Sequence, residues 1–232
     1  MICASIYIVG VGPGDPEFLT LRACRVIEAC ATILHAGARD DSGFALEIIA
    51  SRLRIDQTVR GMGLAMRRGA DDGTIGYERV ARTLLEEAGA GRDVAYLTEG
   101  DPMLYGSGSY IAELLAALAP EATVEVVPGV SSLAAAAARL GWPLAQKDQM
   151  LTICPATYHV DEIGAILDRG GMSCWLKAAD VLPRLAEELR VRGLYGRAAV
   201  VERLGRPEER VFRDLDAALA VDLSYFSLAL VR

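Results

Sequence analysis

The chain is poor in aromatic residues and lysine, and it has no long apolar run. Of its 232 residues 52% are hydrophobic but only 6% are aromatic, so the core must consist mainly of small and aliphatic side chains. A membrane-spanning helix needs about 20 consecutive apolar residues. The longest apolar stretches, Val124–Val130 and Ser132–Ala138, contain Pro128 and Gly129 or end at Arg139. Despite a mean hydropathy of +0.27, we therefore expect no membrane span.

The first ten residues lack the basic leader of a secretory signal peptide. Met1–Gly10 is apolar and runs directly into glycines, which is typical of a buried strand. The sequence therefore predicts a cytoplasmic protein.

Cysteine usage and charge exclude two further classes of site. The five cysteines are an odd number and include no CxxC pair, so we expect buried free thiols rather than a zinc or disulfide framework. The net charge of −7 argues against a nucleic acid partner. Only Lys147 and Lys177 are lysines; the remaining basic residues are arginines, which suit bidentate recognition of carboxylates.

Apolar runs rich in β-branched residues alternate with helical spacing along the whole chain, which favours an α/β fold. A quieter segment at Leu144–Gln149 predicts two domains, residues 1–143 and 144–232. Strands are predicted at 5–9, 32–36, 93–97, 123–127, 149–154, 172–177, 198–203 and 225–231, and helices at 16–31, 45–53, 73–88, 108–118, 131–140, 160–169, 183–192 and 214–220.

The first motif is Gly10-Val-Gly12-Pro-Gly14-Asp-Pro16, between a predicted strand and a predicted helix. Glycines in such a turn let the backbone approach a ligand closely. Pro13 and Pro16 lack the backbone N–H groups that a pyrophosphate would use, so the dinucleotide fingerprint fails. A plain strand-to-helix turn explains the motif equally well.

The second motif, Glu99–Gly106, again follows an apolar strand. Loops at the carboxyl ends of parallel strands form ligand crevices, and Asp101 could present its carboxylate there. A Gly-Asp-Pro sequence is, however, more often only a turn.

The third motif, Val127–Ser132, leads into an Ala-rich helix. Ser131 and Ser132 would ordinarily cap that helix. Their hydroxyls and the helix-end amides could also contact a ligand.

Together, in this order and spacing, the three motifs resemble the tetrapyrrole (corrin and sirohaem-type) methylase family. That family shows GxGPGDP followed by Leu-Thr, here Leu19-Thr20, then GDPxxYG, and then PGVSS before an Ala-rich helix. The resemblance covers essentially the whole chain.

A finer resemblance, through Thr98–Gly106, Val201–Glu209 and Tyr225–Leu228, is to the branch that methylates C-20 of precorrin-2 or its cobalt form. Ala65 stands where that branch has proline, and His35-Ala36-Gly37 is also atypical of it.

The resemblance implies two α/β domains of the class III methyltransferase type, an N-terminal one with a mostly parallel sheet and a C-terminal one with a mixed sheet. S-adenosylmethionine would lie in the cleft between them and leave as S-adenosylhomocysteine. The motifs imply that Pro13 lines the edge of the cofactor, that its ribose and methionine contact Gly100, Asp101, Met103 and Leu104, and that its carboxylate contacts Ser131 and Ser132. By strand position, the residues around the adenine would be Leu176, Lys177, Leu204, Phe226 and Ser227.

The implied reaction is a direct displacement, and the alignment of its two partners can supply about 7–11 kcal/mol. Asp101 is the nearest carboxylate for a catalytic role, although contact with the ribose or sulfonium suits it better. Tyr105 is a weaker candidate for positioning the substrate. No metal is expected.

The tetrapyrrole substrate would carry many carboxylates, which a negatively charged protein can bind only through local arginines. Arg39, Arg67, Arg68 and Arg203 are the candidates, and each is equally compatible with a solvated surface charge. Family members pair as homodimers, so we expect a homodimer here.

Alternatives remain open. Within the family, the chain could methylate another ring position or the diphthamide of a protein. From other classes, it could be a nucleotide-binding oxidoreductase that uses Gly10–Gly14, or a non-catalytic ligand-binding module.

Overall fold

Strands and helices alternate along the part of the chain that the computed structural model describes, residues 4–64 and 72–232. The chain divides into two compact units, Met1–Ser131 and Ser132–Arg232, whereas the sequence predicts a boundary after residue 143. The elements of the first unit are β1 (Ile6–Gly10), α1 (Leu21–Ala29), β2 (Thr32–His35), α2 (Phe44–Ile49), β3 (Thr58–Gly61), α3 (Asp72–Gly89), β4 (Val94–Thr98), α4 (Ser107–Leu118) and β5 (Val124–Val127). Those of the second are α5 (Ser132–Leu140), β6 (Leu151–Pro155), α6 (Ile163–Asp168), β7 (Met172–Leu176), α7 (Leu182–Val191), β8 (Ala198–Glu202), β9 (Arg210–Phe212), α8 (Leu215–Leu219) and β10 (Ser227–Val231).

The first unit contains a parallel sheet with the strand order β3-β2-β4-β1-β5. Successive side chains of its central strands point to opposite faces and are buried on both. Val9 and Leu97 pack with α1 and α2, while Ile8 and Tyr96 pack with α3 and α4. Burial on both faces explains the continuous apolar runs of these strands.

The second unit contains a mixed sheet with the order β6-β7-β10-β8-β9. Strands β6 and β7 are parallel, and β10 runs antiparallel to both β7 and β8. One face, which includes the fully buried Trp175, packs against α6, α7 and α8. The predicted fold class, two α/β units with a parallel first sheet and a mixed second sheet, is thereby confirmed; the cleft between the units stays a prediction.

Two strands were not predicted, and the first helix begins later than predicted. Strands β3 (Thr58–Gly61) and β9 (Arg210–Phe212) lie at sheet edges, are only partly buried and carry arginine, so neither shows an apolar run. The helix expected from Pro16 begins at Leu21 because the Thr20 hydroxyl accepts a hydrogen bond from the Ala23 amide at 3.1 Å and caps it there.

Cys30, Cys154 and Cys174 are buried free thiols, whereas Cys24 is partly exposed. Burial raises the pKa of Cys30 and of Cys174 to about 12, so both remain protonated at neutral pH. Cys3 lies outside the described residues. No helix in the described ranges is both long and apolar enough to span a bilayer.

A buried carboxylate ties α3 to the sheet of the first unit. Glu87 is 4% exposed and accepts hydrogen bonds from the Thr32 hydroxyl at 2.8 Å and from Arg92 Nε at 2.7 Å. Arg60 Nη1 on β3 lies 3.2 Å from its other oxygen. The hydrogen bond from Arg92 lowers the pKa of Glu87 more than burial raises it.

We predict that Glu87→Gln lowers the free energy of unfolding of the first unit by about 1–3 kcal/mol at pH 7, because the arginines lose their buried partner. A carboxylate with a lowered folded pKa stabilises fully above its unfolded pKa of about 4.3, and this contribution disappears as the pH falls through the folded pKa. Urea unfolding followed by circular dichroism should therefore show the difference from the wild type closing in acid.

Glu86→Gln is the matched control, since Glu86 is the exposed neighbour of Glu87 on α3. Equal stability of the two variants at pH 7 would show that the Glu87 cluster contributes nothing.

Candidate functional site

The three sequence motifs of the first unit lie side by side. Strands β4, β1 and β5 are adjacent and parallel, so their carboxyl ends share one edge of the sheet. The turn after β1 and the loop after β4 continue to pair beyond the strands: Gly100 N donates to Gly12 O at 2.8 Å, and Gly12 N donates to Gly100 O at 3.3 Å. Parallel α/β sheets bind their ligands at this edge.

Asp101 joins the second motif to the third. Its Oδ1 accepts a hydrogen bond from the Met103 amide at 2.9 Å, and its Oδ2 accepts one from the Gly129 amide at 3.1 Å. The carboxylate therefore fixes its own loop and also the turn that leads to Ser131. Each oxygen keeps a further lone pair that a ligand hydroxyl could use.

The glycines of these turns are required by contacts between backbones. A Cβ on Gly129 would lie 2.1 Å from Gly100 O, and a Cβ on Gly10 would lie 2.6 Å from Gly129 N. The sequence suggested that glycine leaves room for a ligand; the structure shows that these two leave room for one another's loops.

The first-unit residues that were predicted to bind the cofactor share this edge but differ in exposure. Pro13 is buried, and Gly100, Asp101, Leu104 and Ser131 are partly buried. Met103 is 58% exposed, and Tyr105 is 49% exposed, so both present apolar surface to solvent. Tyr105 has a φ of 53°, which is uncommon for a residue other than glycine.

The second-unit residues of the predicted adenine set also share one edge. Strand β10 begins where its neighbours β7 and β8 end. Ala178 N donates to Ser227 O at 3.1 Å, and Arg203 N donates to Phe226 O at 2.8 Å. This arrangement brings together Leu176, Lys177, Leu204, Phe226 and Ser227. Ser132 begins α5 in the same unit.

An exposed aromatic pair borders this edge. The rings of Tyr225 and Phe226 meet edge to face with centroids 5.4 Å apart, and Lys177 Nζ lies 4.9 Å from the centroid of the Tyr225 ring. Lys177 and Arg203, which directly follow β7 and β8, both have positive φ, 58° and 49°. The ammonium of Lys177 is thus held against an aromatic face.

The Ser227 hydroxyl is buried at this edge of the second unit's sheet. Ser227 is 4% exposed, and its Oγ has no hydrogen-bond partner among the described residues. A buried hydroxyl without a partner costs about 1–3 kcal/mol. A ligand that reached this edge could supply the missing hydrogen bond.

The predicted substrate arginines are only partly described. Arg39 is exposed and lies 3.3 Å from Asp41 Oδ1, so its turn carries carboxylates as well as a cation. Arg203 is exposed, and its Nε lies 3.4 Å from Ser224 Oγ. Arg67 and Arg68 lie outside the described residues.

Two buried ionisable side chains near these edges were not assigned a role from the sequence. Glu202 accepts hydrogen bonds from Arg210 Nε and from the Ser224 amide, which braces the segment before Ser227. Burial raises its pKa, but these hydrogen bonds outweigh burial and lower it. The other is His35, which ends β2 and is fully buried. The only sequence signal for either was a polar residue at the end of an apolar strand.

Glycine-rich turns at the carboxyl edge of a parallel sheet, and a buried serine hydroxyl without a partner among the described residues of a mixed sheet, are features typical of α/β proteins that bind small molecules. The chain matches the model of the family Tetrapyrrole (Corrin/Porphyrin) Methylases over residues 5–219. The chain therefore belongs to this family, which confirms the resemblance predicted from the motifs.

Curated relatives include two enzymes of similar length. The precorrin-2 C(20)-methyltransferase of a Sinorhizobium species is 30% identical over 96% of this chain and 93% of its own length. The cobalt-precorrin-2 C(20)-methyltransferase of Salmonella typhimurium is 31% identical over 97% of this chain and 95% of its own length. The cobalamin biosynthesis protein CobIJ of Mycobacterium tuberculosis is 32% identical over 98% of this chain, which spans 46% of that longer protein.

Solved structures share the fold. A cobalt precorrin-4 methyltransferase is 22% identical with a TM-score of 0.74, covering 98% of this chain and 94% of its own. The uroporphyrin-III C-methyltransferase of Thermus thermophilus, solved in complex with S-adenosylhomocysteine, is 26% identical with a TM-score of 0.68, covering 98% of this chain and 97% of its own.

We predict that Gly129→Ala lowers the free energy of unfolding by about 1–3 kcal/mol or more, because the added methyl group would overlap the backbone at Gly100. Gly89→Ala is the control, since a Cβ on that helical residue meets nothing within 4 Å; it should be neutral or slightly stabilising. Urea unfolding of both variants measures the difference. Equal stabilities would contradict the close contact of the turns.

Proposed function

We propose that the chain transfers a methyl group from S-adenosylmethionine to C-20 of precorrin-2 or its cobalt form. Family membership supports the methyltransferase class, and the two C(20)-methyltransferases of similar length support the ring position. The observation that carries the proposal is the joining of three strand-end turns, two of them through Asp101 and the third through the pairing of Gly12 with Gly100.

The residues present fit this cofactor. The Ser227 hydroxyl lacks a partner among the described residues, and the aromatic side chain of the preceding residue, Phe226, is exposed. We assign the adenine to Leu176, Lys177, Leu204, Phe226 and Ser227, the ribose and methionine to Pro13, Gly100, Asp101, Met103 and Leu104, and the carboxylate to Ser131 and Ser132. The amides at the start of α5 suit an anionic group.

When bound, S-adenosylmethionine supplies a methyl group that is already activated as a sulfonium. The protein's own contribution is then alignment, for which about 7–11 kcal/mol is attainable. Asp101 serves this purpose by holding two turns in register while its remaining lone pairs accept hydrogen bonds from ligand hydroxyls. Its use as a base would require protonation of a carboxylate that already accepts two amide hydrogen bonds. We therefore favour a positioning role for Asp101, and for Tyr105 a role in orienting the ring.

Calorimetric titration with S-adenosylhomocysteine and with NAD separates the enzyme classes. We expect tight binding of the first and none of the second; the reverse would favour an oxidoreductase.

Anaerobic incubation with precorrin-2, cobalt-precorrin-2 or uroporphyrinogen III, with a ¹³C-labelled methyl donor, then identifies the ring position by NMR. A label at any carbon other than C-20 would overturn the finer assignment and leave the family assignment intact. The expected homodimer and cytoplasmic location stay predictions.

Replacement of Asp101 tests the proposed cofactor cradle. We predict that Asp101→Ala weakens binding of S-adenosylhomocysteine by at least about tenfold, because it releases the Met103 and Gly129 amides and removes a charged acceptor. Asp161→Asn, at an exposed position of the second unit, should leave the affinity unchanged. An Asp101→Ala variant that is folded and binds as tightly as the wild type would exclude Asp101 from the cradle.

Two buried serines of the same sheet provide a paired test. Ser227→Ala removes a hydroxyl that has no partner in the described part of the chain, so we predict unchanged or slightly higher stability but binding of S-adenosylhomocysteine about three- to tenfold weaker. Ser173 accepts a hydrogen bond from Trp175 Nε1 at 3.0 Å, so Ser173→Ala should lose about 1 kcal/mol of stability and keep its affinity. Thermal unfolding and calorimetry measure both quantities. An affinity loss in Ser173→Ala alone would refute the assignment of Ser227.

A further inference from the structure

The imidazole of His35 is buried inside the loop that it begins. His35 is the last residue of β2 and is 0% exposed. Its Nδ1 lies 3.1 Å from the Gly37 amide, and its Nε2 lies 3.2 Å from the carbonyl oxygen of Asp40. The amide can only donate and the carbonyl can only accept, so the ring must be neutral with its proton on Nε2.

The loop is built around this ring. A Cβ on Gly37 would lie 2.7 Å from both Cε1 and Nδ1 of His35, and a Cβ on Gly43 would lie 2.7 Å from Nδ1. The glycines at the start and at the end of the loop therefore leave the space that the imidazole fills. Burial lowers the pKa of His35, and the carbonyl and the charge of Asp40 offset that shift only in part.

The same loop is fixed to the segment that follows β3. Gly63 N donates to Gly37 O at 2.8 Å, and Met62 N donates to His35 O at 2.8 Å. Gly61 N donates to Asp40 Oδ1 at 2.8 Å. Asp40 is thus held twice, through its carbonyl by His35 and through its side chain by Gly61.

The tip of this loop is a tight turn that presents Arg39. Ser42 N donates to Arg39 O at 3.3 Å, with Asp40 and Asp41 between them. The side chains of Arg39 and Asp41 are 75% and 79% exposed. Water therefore screens their ion pair, and a competing carboxylate can replace Asp41. The turn lies at the carboxyl edge of the first sheet, because His35 pairs with Leu97 of β4.

We propose that His35 is a positioning residue: by bridging Gly37 and Asp40 its imidazole holds the turn Arg39–Ser42, so that Arg39 receives a carboxylate of the tetrapyrrole. The inference rests on the proposed function, since a polyacid substrate gives Arg39 its partner. It gives a role to the His35-Ala36-Gly37 sequence, which the family motifs leave unexplained. His35 itself touches neither cofactor nor substrate.

The spectroscopic part of the test needs no substrate. The chain has only two histidines, so His159→Asn assigns both imidazoles in a ¹H–¹⁵N spectrum. We expect His35 to be the Nε2–H tautomer at pH 7, with the Gly37 amide shift changing in His35→Ala. An Nδ1–H tautomer or a charged ring at pH 7 would overturn the proposal.

The kinetic part separates positioning from structural damage. We expect Arg39→Ala to raise KM for precorrin-2 about tenfold, and His35→Ala to raise it about three- to tenfold. In both variants kcat and the affinity for S-adenosylhomocysteine should stay within twofold of the wild type. The double variant should equal Arg39→Ala alone, because both changes remove one interaction. His159→Ala should change none of these values.

His35→Asn keeps an acceptor for the Gly37 amide, so its KM should lie between that of the wild type and that of His35→Ala. It also serves if His35→Ala does not fold, as judged by circular dichroism. The proposal would be overturned if the increases in KM from His35→Ala and Arg39→Ala were additive in the double variant. It would also be overturned if both His35→Ala and His35→Asn kept the KM of the wild type. If the wild type does not bind S-adenosylhomocysteine, the proposed function fails first and this proposal falls with it.

Discussion

The hydrogen bonds of the Asp101 carboxylate to the amides of Met103 and Gly129 are the constraint on which the first unit's site depends. A single side chain fixes the loop after β4 and the turn after β5. The antiparallel pairing of Gly12 with Gly100 adds the turn after β1. Without these contacts, the three glycine-rich turns would move independently of one another, and each would lose conformational entropy when a ligand binds.

The second unit reaches a comparable edge by a different route. There β10 runs against β7 and β8, so the start of one strand lies beside the ends of two others. This reversal brings Ser227 next to Lys177 and Arg203, two residues whose positive φ turns the chain away from the sheet. A backbone held in that region is costly for a residue other than glycine. The Ser227 hydroxyl, which has no partner among the residues that the structure describes, costs further stability, and a bound ligand would recover part of it.

The alternation of apolar runs with helical spacing along the sequence made most of the fold predictable. The central strands β1, β2 and β4 appear as continuous apolar runs because both of their faces are buried. The edge strands β3 and β9 carry no such signal, and the hydroxyl of Thr20 delays α1. The order of the motifs was enough to predict the family and the neighbourhood of Pro13, Asp101 and Ser131. The contact of Asp101 with Gly129 was not predictable, because Gly129 lies 28 residues along the chain and is brought near by the pairing of β4 and of β5 with β1. The contacts of Glu87 with Thr32 and of Glu202 with Ser224 escaped prediction for the same reason. The partners of His35 lie within five residues of it, but they meet its ring only through the conformation of the loop.

The most direct test of the central claim is a crystal structure of the chain with S-adenosylhomocysteine. We predict that the ligand lies against the Asp101 loop, with a hydroxyl within hydrogen-bonding distance of that carboxylate, and that a polar atom of the ligand reaches Ser227 Oγ. A ligand bound elsewhere, with the Gly10–Gly14, Glu99–Gly106 and Pro128–Ser131 turns untouched, would contradict the account.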